Sequence, residues 1–82
     1  MKYFVYIMYS ASADSFYKGQ TADINERINR HNSGKEKATA RYAPWKLIWS
    51  TVVDSRSEAS ILERKIKNLS RKRLLEFIKE HS

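Results

Sequence analysis

Between residues 16 and 34 the sequence reads FYKGQTADINERINRHNSG. Tyr17, Arg27 and His31 stand there at intervals of ten and four, across what reads as a strand, a turn and a helix. A phenol and an imidazole can move a proton, and a guanidinium is a planar, permanently charged fork for an oxyanion. Farther on, Glu63 places a carboxylate in a second helical segment. Glu63 also has a plainer reading, an i,i+4 ion pair with Lys67 worth about 0.2–0.5 kcal/mol. Whether these groups can act together depends on the elements that carry them.

Residues 3–9, YFVYIMY, are β-branched and aromatic with little polar alternation, the pattern of a strand covered on both faces. SASADS is a turn of small polar residues, and FYKGQ (16–20) reads as a second strand antiparallel to the first. Asp23 with Glu26 resembles a capping box and opens a helix over 24–32, with Gly34 placed for a left-handed C-terminal turn. KEKATARYAP (35–44) reads as a basic loop and WKLIWSTVV (45–53) as the third strand. SRSE (55–58) opens a helix to about residue 68, and Ser70 caps a last one. The expected fold is α+β: a small three-stranded antiparallel sheet flanked by helices, in the order β-β-α-β-α-α, as one domain over residues 1–82.

Helical spacing puts Ile24, Ile28 and His31 on one stripe with Arg27 at its edge. It puts Ala59, Leu62, Ile66 and Leu69 on another, with Glu63 at the border, where an acid could reach a cleft beside the sheet. Trp45 and Trp49, four apart in a strand, are expected to face the same side and to serve packing.

Composition narrows the classes. Cysteine is absent, which excludes disulfides, a cysteine-ligated zinc and a thiol nucleophile. Hydrophobic residues make up 41% of the chain, too many for a disordered tail. The apolar start MKYFVYIMYS is too short and too rich in tyrosine for a secretion signal or a membrane span, so a cytoplasmic protein without a membrane partner is expected. Sixteen Lys and Arg against nine Asp and Glu give a net charge of +7, which suits a polyanion such as nucleic acid.

The tripeptides VYI (5–7) and YKG (17–19), followed by Arg27, His31 and NSG (32–34), resemble the paired motif of the GIY-YIG nuclease family. TARYAPWKLIW (39–49) and SEASILERKIK (57–67) extend the resemblance over almost the whole chain, closest to short single-domain members related to the nuclease module of excision repair. The resemblance implies hydrolysis of a phosphodiester bond in DNA, in repair or recombination, with one divalent metal, Mg2+ or Mn2+. It makes Tyr6 and Tyr17 the signature tyrosines, Gly19 the motif glycine and Arg27 the essential arginine. It makes His31 a motif position held by histidine or tyrosine, and Glu63 the metal ligand.

Those roles fit the residue types. Arg27 would neutralise charge on the phosphate oxygens, and a metal on Glu63 would stabilise the leaving oxygen. Tyrosine is a poor base unless positive charge lowers its pKa. Tyr17 is expected to be the base, with charge from Arg27 or Lys18, although Lys18 should point to the opposite face. His31 would be its partner or a phosphate contact, or the base in its place. Two departures stand out. Lys18 replaces an apolar residue in the second motif, and LLEFIKE (74–80) lacks the late asparagine some members carry, with Asn68 too early to stand in. Lys35, Lys37 and Arg41, then Lys65, Lys67, Arg71, Lys72 and Arg73, are the expected phosphate contacts. Targeting would come from this surface or from a protein partner. The alternative is a non-catalytic nucleic-acid-binding module that keeps the nuclease fold.

Overall fold

The computed structural model describes residues 2–81. Strand β1 (Tyr3–Ser10) lies in the middle of a three-stranded antiparallel sheet, between β2 (Ser15–Thr21) and β3 (Trp45–Val53). Its apolar run is buried on both sides. Val5 and Ile7 face one layer and Tyr6 and Met8 the other, all at 0–1% exposure. Helix α1 (Ile24–Asn32) and a single helical turn α2 (Lys37–Ala40) cover the Tyr6 and Met8 face. Helices α3 (Arg56–Lys67) and α4 (Arg71–Glu80) cover the other, where Ala59, Ile66 and Leu74 close on Val5 and Ile7. The order and class match the α+β expectation, with α2 as one added turn inside the segment read as a loop.

The caps read in the sequence set the helix starts. Asp23 accepts from the Glu26 amide at 3.1 Å, Ser55 from Glu58 at 3.2 Å and Ser70 from Arg73 at 3.2 Å. Gly34 sits past α1 with φ of 84°, the left-handed turn expected there. The end of α1 is tied to the sheet, because the Asn32 side chain bonds both the N–H and the C=O of Trp45. That tie fixes the height of α1 along the sheet, and with it Arg27 and His31.

The two tryptophans correct the expectation of a shared face. The β1–β3 pairing shifts register between Ile7 and Met8, where Trp49 and Leu47 are the successive partners. Ile48 is left over as a bulge, and one extra residue inverts the alternation beyond it. Trp45 therefore joins Tyr6 and Met8, while Trp49 joins Val5 and Ile7. Each indole N–H is used in structure, Trp45 to the Thr39 carbonyl at 2.8 Å and Trp49 to the His81 carbonyl at 3.2 Å.

Candidate active site

Register explains how the two signature tyrosines meet. Tyr6 pairs with Gly19, and Met8 with Tyr17, so all four project to the α1 face. The Tyr6 ring leans across β2 over Gly19. A Cβ built on Gly19 would stand 2.6 Å from the Tyr6 hydroxyl, 2.8 Å from its Cζ and 3.1 Å from a Tyr17 ring carbon. Gly19 is required here by space. Lys18 pairs with Ile7 and so projects to the opposite face, as the strand alternation predicts.

The tyrosines differ in what their hydroxyls do. Tyr6 is 1% exposed and its hydroxyl lies 3.2 Å from His31 Nε2. His31, also 1% exposed, has Nδ1 2.7 Å from Thr39 Oγ1. The Thr39 hydroxyl donates to the Glu36 carbonyl at 3.3 Å, so Oγ1 accepts from His31 Nδ1–H, and Nε2 is left to accept from Tyr6. Burial pushes the Tyr6 phenol well above the ordinary tyrosine range, and burial holds the His31 imidazole below its ordinary value. Both are neutral at physiological pH. Both His31 ring nitrogens are engaged inside the protein, one by Tyr6 and one by Thr39.

Tyr17 is only half-buried, and its hydroxyl has no hydrogen-bond partner among the described residues. Its ring is held by His31, with centroids 4.8 Å apart, and by Trp45 and Tyr6 at 6.1 and 6.3 Å. The ring is fixed by aromatic packing while its polar tip faces the surface.

Arg27 and Glu63 approach the edge strand β2 from opposite layers. Arg27, half-buried on α1, lines a hollow with Gln20, Thr21 and Asp23. Its Nη1 lies 3.8 Å from Glu36, which Arg30 Nε contacts more closely at 3.0 Å. Glu63, on α3, lines a second hollow with Gln20, Ser60, Lys67 and Asn68. Its carboxylate is paired with Lys67 at 2.9 Å, the i,i+4 contact the spacing predicts. The hydrogen bond to Glu63 holds the Lys67 ammonium above its ordinary pKa, with a small through-space contribution from Tyr17. Lys67 is thus a cation within electrostatic reach of Tyr17, on the layer opposite Arg27.

The GIY-YIG catalytic domain model matches residues 2–76. The chain belongs to the GIY-YIG family. It is similar to a UPF0213 protein of Streptococcus agalactiae, 35% identical over 79 residues that span 95% of this chain and 89% of the relative. A UPF0213 protein of Staphylococcus aureus is 37% identical over 79 residues, 95% of each chain. The solution NMR structure of a UPF0213 protein of Bacillus halodurans has a TM-score of 0.63 at 34% identity, covering 96% of this chain and 84% of that one. A GIY-YIG domain implies activity of nuclease type.

On this GIY-YIG scaffold the remaining sequence-predicted cations divide between the layers. Lys35, Lys37 and Arg41 are exposed around α2, with the Arg41 guanidinium over the Tyr42 ring at 5.5 Å. Lys65, Lys72 and Arg73 are exposed on α3 and α4, Lys65 and Arg73 beside Phe77 and His81. Two members of the set are engaged within the protein. Lys67 is paired with Glu63, and Arg71 donates to the Asp14 carbonyl and carboxylate at 3.1 and 2.7 Å. Asn68 does line the Glu63 hollow, despite its early place in sequence, because it caps α3 just beyond Lys67.

The sequence reading missed Glu36, Thr39 and Gln20. Glu36 was hidden among lysines in KEKATARYAP, and only the turn of α2 brings Thr39 under His31. Gln20, the residue after the motif glycine, carried a signal in its position alone. No helix among the described residues is long and apolar enough to cross a membrane.

Proposed function

We propose that this protein is a divalent-metal-dependent endonuclease that hydrolyses phosphodiester bonds in DNA. The observation that carries the reading is the contrast between the tyrosines. Tyr6 is buried and spent on His31, whereas Tyr17, its ring held by His31, presents a hydroxyl without a partner among the described residues.

In this reading Tyr17 is the general base. Its hydroxyl has no partner among the described residues, on a ring held by His31, Trp45 and Tyr6. Tyr17, once deprotonated, takes a proton from the attacking water as the new P–O bond forms and the bond to the leaving oxygen breaks. Arg27 holds the non-bridging oxygens, whose charge grows in the transition state. His31 keeps Tyr6 and Tyr17 in place.

The donor set fits a hard cation. Among the described residues no group of three or more His, Cys, Asp or Glu side chains could hold a metal. One carboxylate, Glu63, beside the amide side chains of Asn68 and Gln20, suits Mg2+ or Mn2+ that keeps most of its waters. Bound there, such an ion supplies charge stabilisation to the leaving oxygen.

A second reading has its own observation. Glu63 already has a cationic partner in Lys67, so a non-catalytic DNA-binding module would also satisfy it. Plasmid nicking with and without Mg2+ or Mn2+ separates the two. Nicking that needs the ion and is lost in Tyr17→Phe supports the nuclease. Tight binding with no cleavage by the wild type supports the module.

A further inference from the structure

Among the described residues two buried side-chain polar atoms lack a hydrogen-bond partner, Gln20 Oε1 and Arg27 Nε. One is an acceptor and the other a donor, and both residues line the same hollow at the β2 edge. Leaving a buried polar group unmatched costs about 1–3 kcal/mol, so native proteins rarely keep one without a ligand or water to fill it. Gln20 is also the residue shared with the neighbouring hollow that holds Glu63, Lys67 and Asn68. It stands on the wall between the guanidinium and the carboxylate.

The amide is held in a fixed sense. Gln20 Nε2 donates to Ser60 Oγ on α3 at 3.0 Å, which directs Oε1 away from that bond. Ser60 lies one helical turn before Glu63 and Arg64, so the helix that carries the carboxylate also orients the amide. An anchored neutral oxygen on a residue that shares a hollow with a carboxylate is the kind of donor a hard divalent cation takes. A cation on Oε1 and a phosphate oxygen on the Arg27 Nε–H would satisfy both orphaned atoms.

We propose that Gln20 Oε1 is a second oxygen ligand, with Glu63, for the divalent cation of this site. This rests on the metal reading of Glu63. Gln20 thereby couples the two layers of the site, with Ser60 as its positioning residue.

The test is Mn2+ binding to the full chain by titration calorimetry, read without any cleavage assay. Gln20→Met keeps side-chain bulk and removes the oxygen. It should weaken Mn2+ binding about tenfold, the scale expected when a supporting oxygen is lost, and Gln20→Glu should restore or exceed wild-type affinity. In 15N-labelled wild type, substoichiometric Mn2+ should broaden the Gln20 side-chain amide signals, and Glu63→Ala should abolish the broadening. Wild-type affinity in Gln20→Met, with binding lost in Glu63→Ala, overturns the proposal alone and leaves Oε1 to a water. Wild-type affinity in Glu63→Ala overturns the metal reading and this proposal together. Gln20 signals untouched by Mn2+ in the wild type also overturn it, whatever the folding of the variants.

Discussion

Tyr6 and His31 are joined by a buried hydrogen bond of 3.2 Å that links the central strand to α1, 25 residues apart. The bond makes the two signature tyrosines unequal. Tyr6→Phe leaves His31 Nε2 buried without a donor and should destabilise the fold by about 1–2 kcal/mol. Tyr17→Phe removes a hydroxyl with no partner among the described residues and should leave stability within about 0.5 kcal/mol. Cleavage should respond in the opposite order, with Tyr17→Phe losing at least about a hundredfold. Denaturant melts beside a nicking assay check this. Equal cleavage loss at both positions without equal destabilisation would count against Tyr17 as the base.

Gly19 is a matter of room. A methyl group there would meet the Tyr6 hydroxyl at 2.6 Å. Tyr6 cannot yield without leaving His31, and its ring is enclosed. Gly19→Ala should cost about 1–3 kcal/mol, in the range of an overpacked core. The double change Gly19→Ala with Tyr6→Phe should recover part of the loss. Thermal melts that show the two changes simply adding would place the strain elsewhere.

His31 sets a pH dependence. Burial holds its imidazole below the ordinary value of 6.5; Glu36 opposes that shift, and Arg27 and Arg30 reinforce it. As pH falls through 6.5 the unfolded chain takes up a proton that the folded chain does not. The unfolded state then binds more protons, so stability falls with pH in the window below 6.5 and is unaffected above it. The melting temperature of the wild type should drop more between pH 7 and pH 5 than that of His31→Gln. Parallel curves would mean that another group controls this window.

Lys67 and a divalent cation compete for the same carboxylate. The Lys67 ammonium sits 2.9 Å from Glu63 Oε2. Lys67→Met should therefore bind Mn2+ severalfold more tightly by calorimetry. It should nevertheless cleave more slowly, because a cation within electrostatic reach of Tyr17 is gone from the α3 side. Weaker Mn2+ binding in this variant would show that Lys67 organises the site rather than guarding it.

Binding to DNA should be driven by phosphate contacts. Lys35, Lys37 and Arg41 are exposed and outside the ion pairs that hold Lys67 and Arg71. Affinity should fall steeply with salt, and changing all three to Ala should flatten the log–log slope. Arg71→Ala should change the slope little, since its guanidinium is engaged by Asp14. A slope altered more by Arg71→Ala than by the triple change would reverse this ranking.

Local signals in the chain were strong enough to determine its elements. Asp23, Ser55 and Ser70 each place a side-chain acceptor beside the first free amides of a helix, and Gly34 permits the left-handed turn after α1. The double-faced apolar run of β1 identified the central strand, and the motif resemblance carried by Tyr6, Tyr17, Arg27, His31 and Glu63 pointed to the family. These effects act within a turn of helix or a few residues of strand, so they are written in neighbouring letters.

Tertiary structure alone decided the rest. A single bulge residue, Ile48, sends Trp45 and Trp49 to opposite faces, because the strand period is two and one insertion inverts it. Which tyrosine is free depends on His31 and Thr39 arriving from α1 and α2 to engage Tyr6. The pairing of Arg71 with Asp14 joins residues 57 positions apart. The place of Gln20 between Arg27 and Glu63 exists only because two helical layers meet at the β2 edge. Burial and electrostatic partnership are properties of distance in space, and they appear only once the layers have closed.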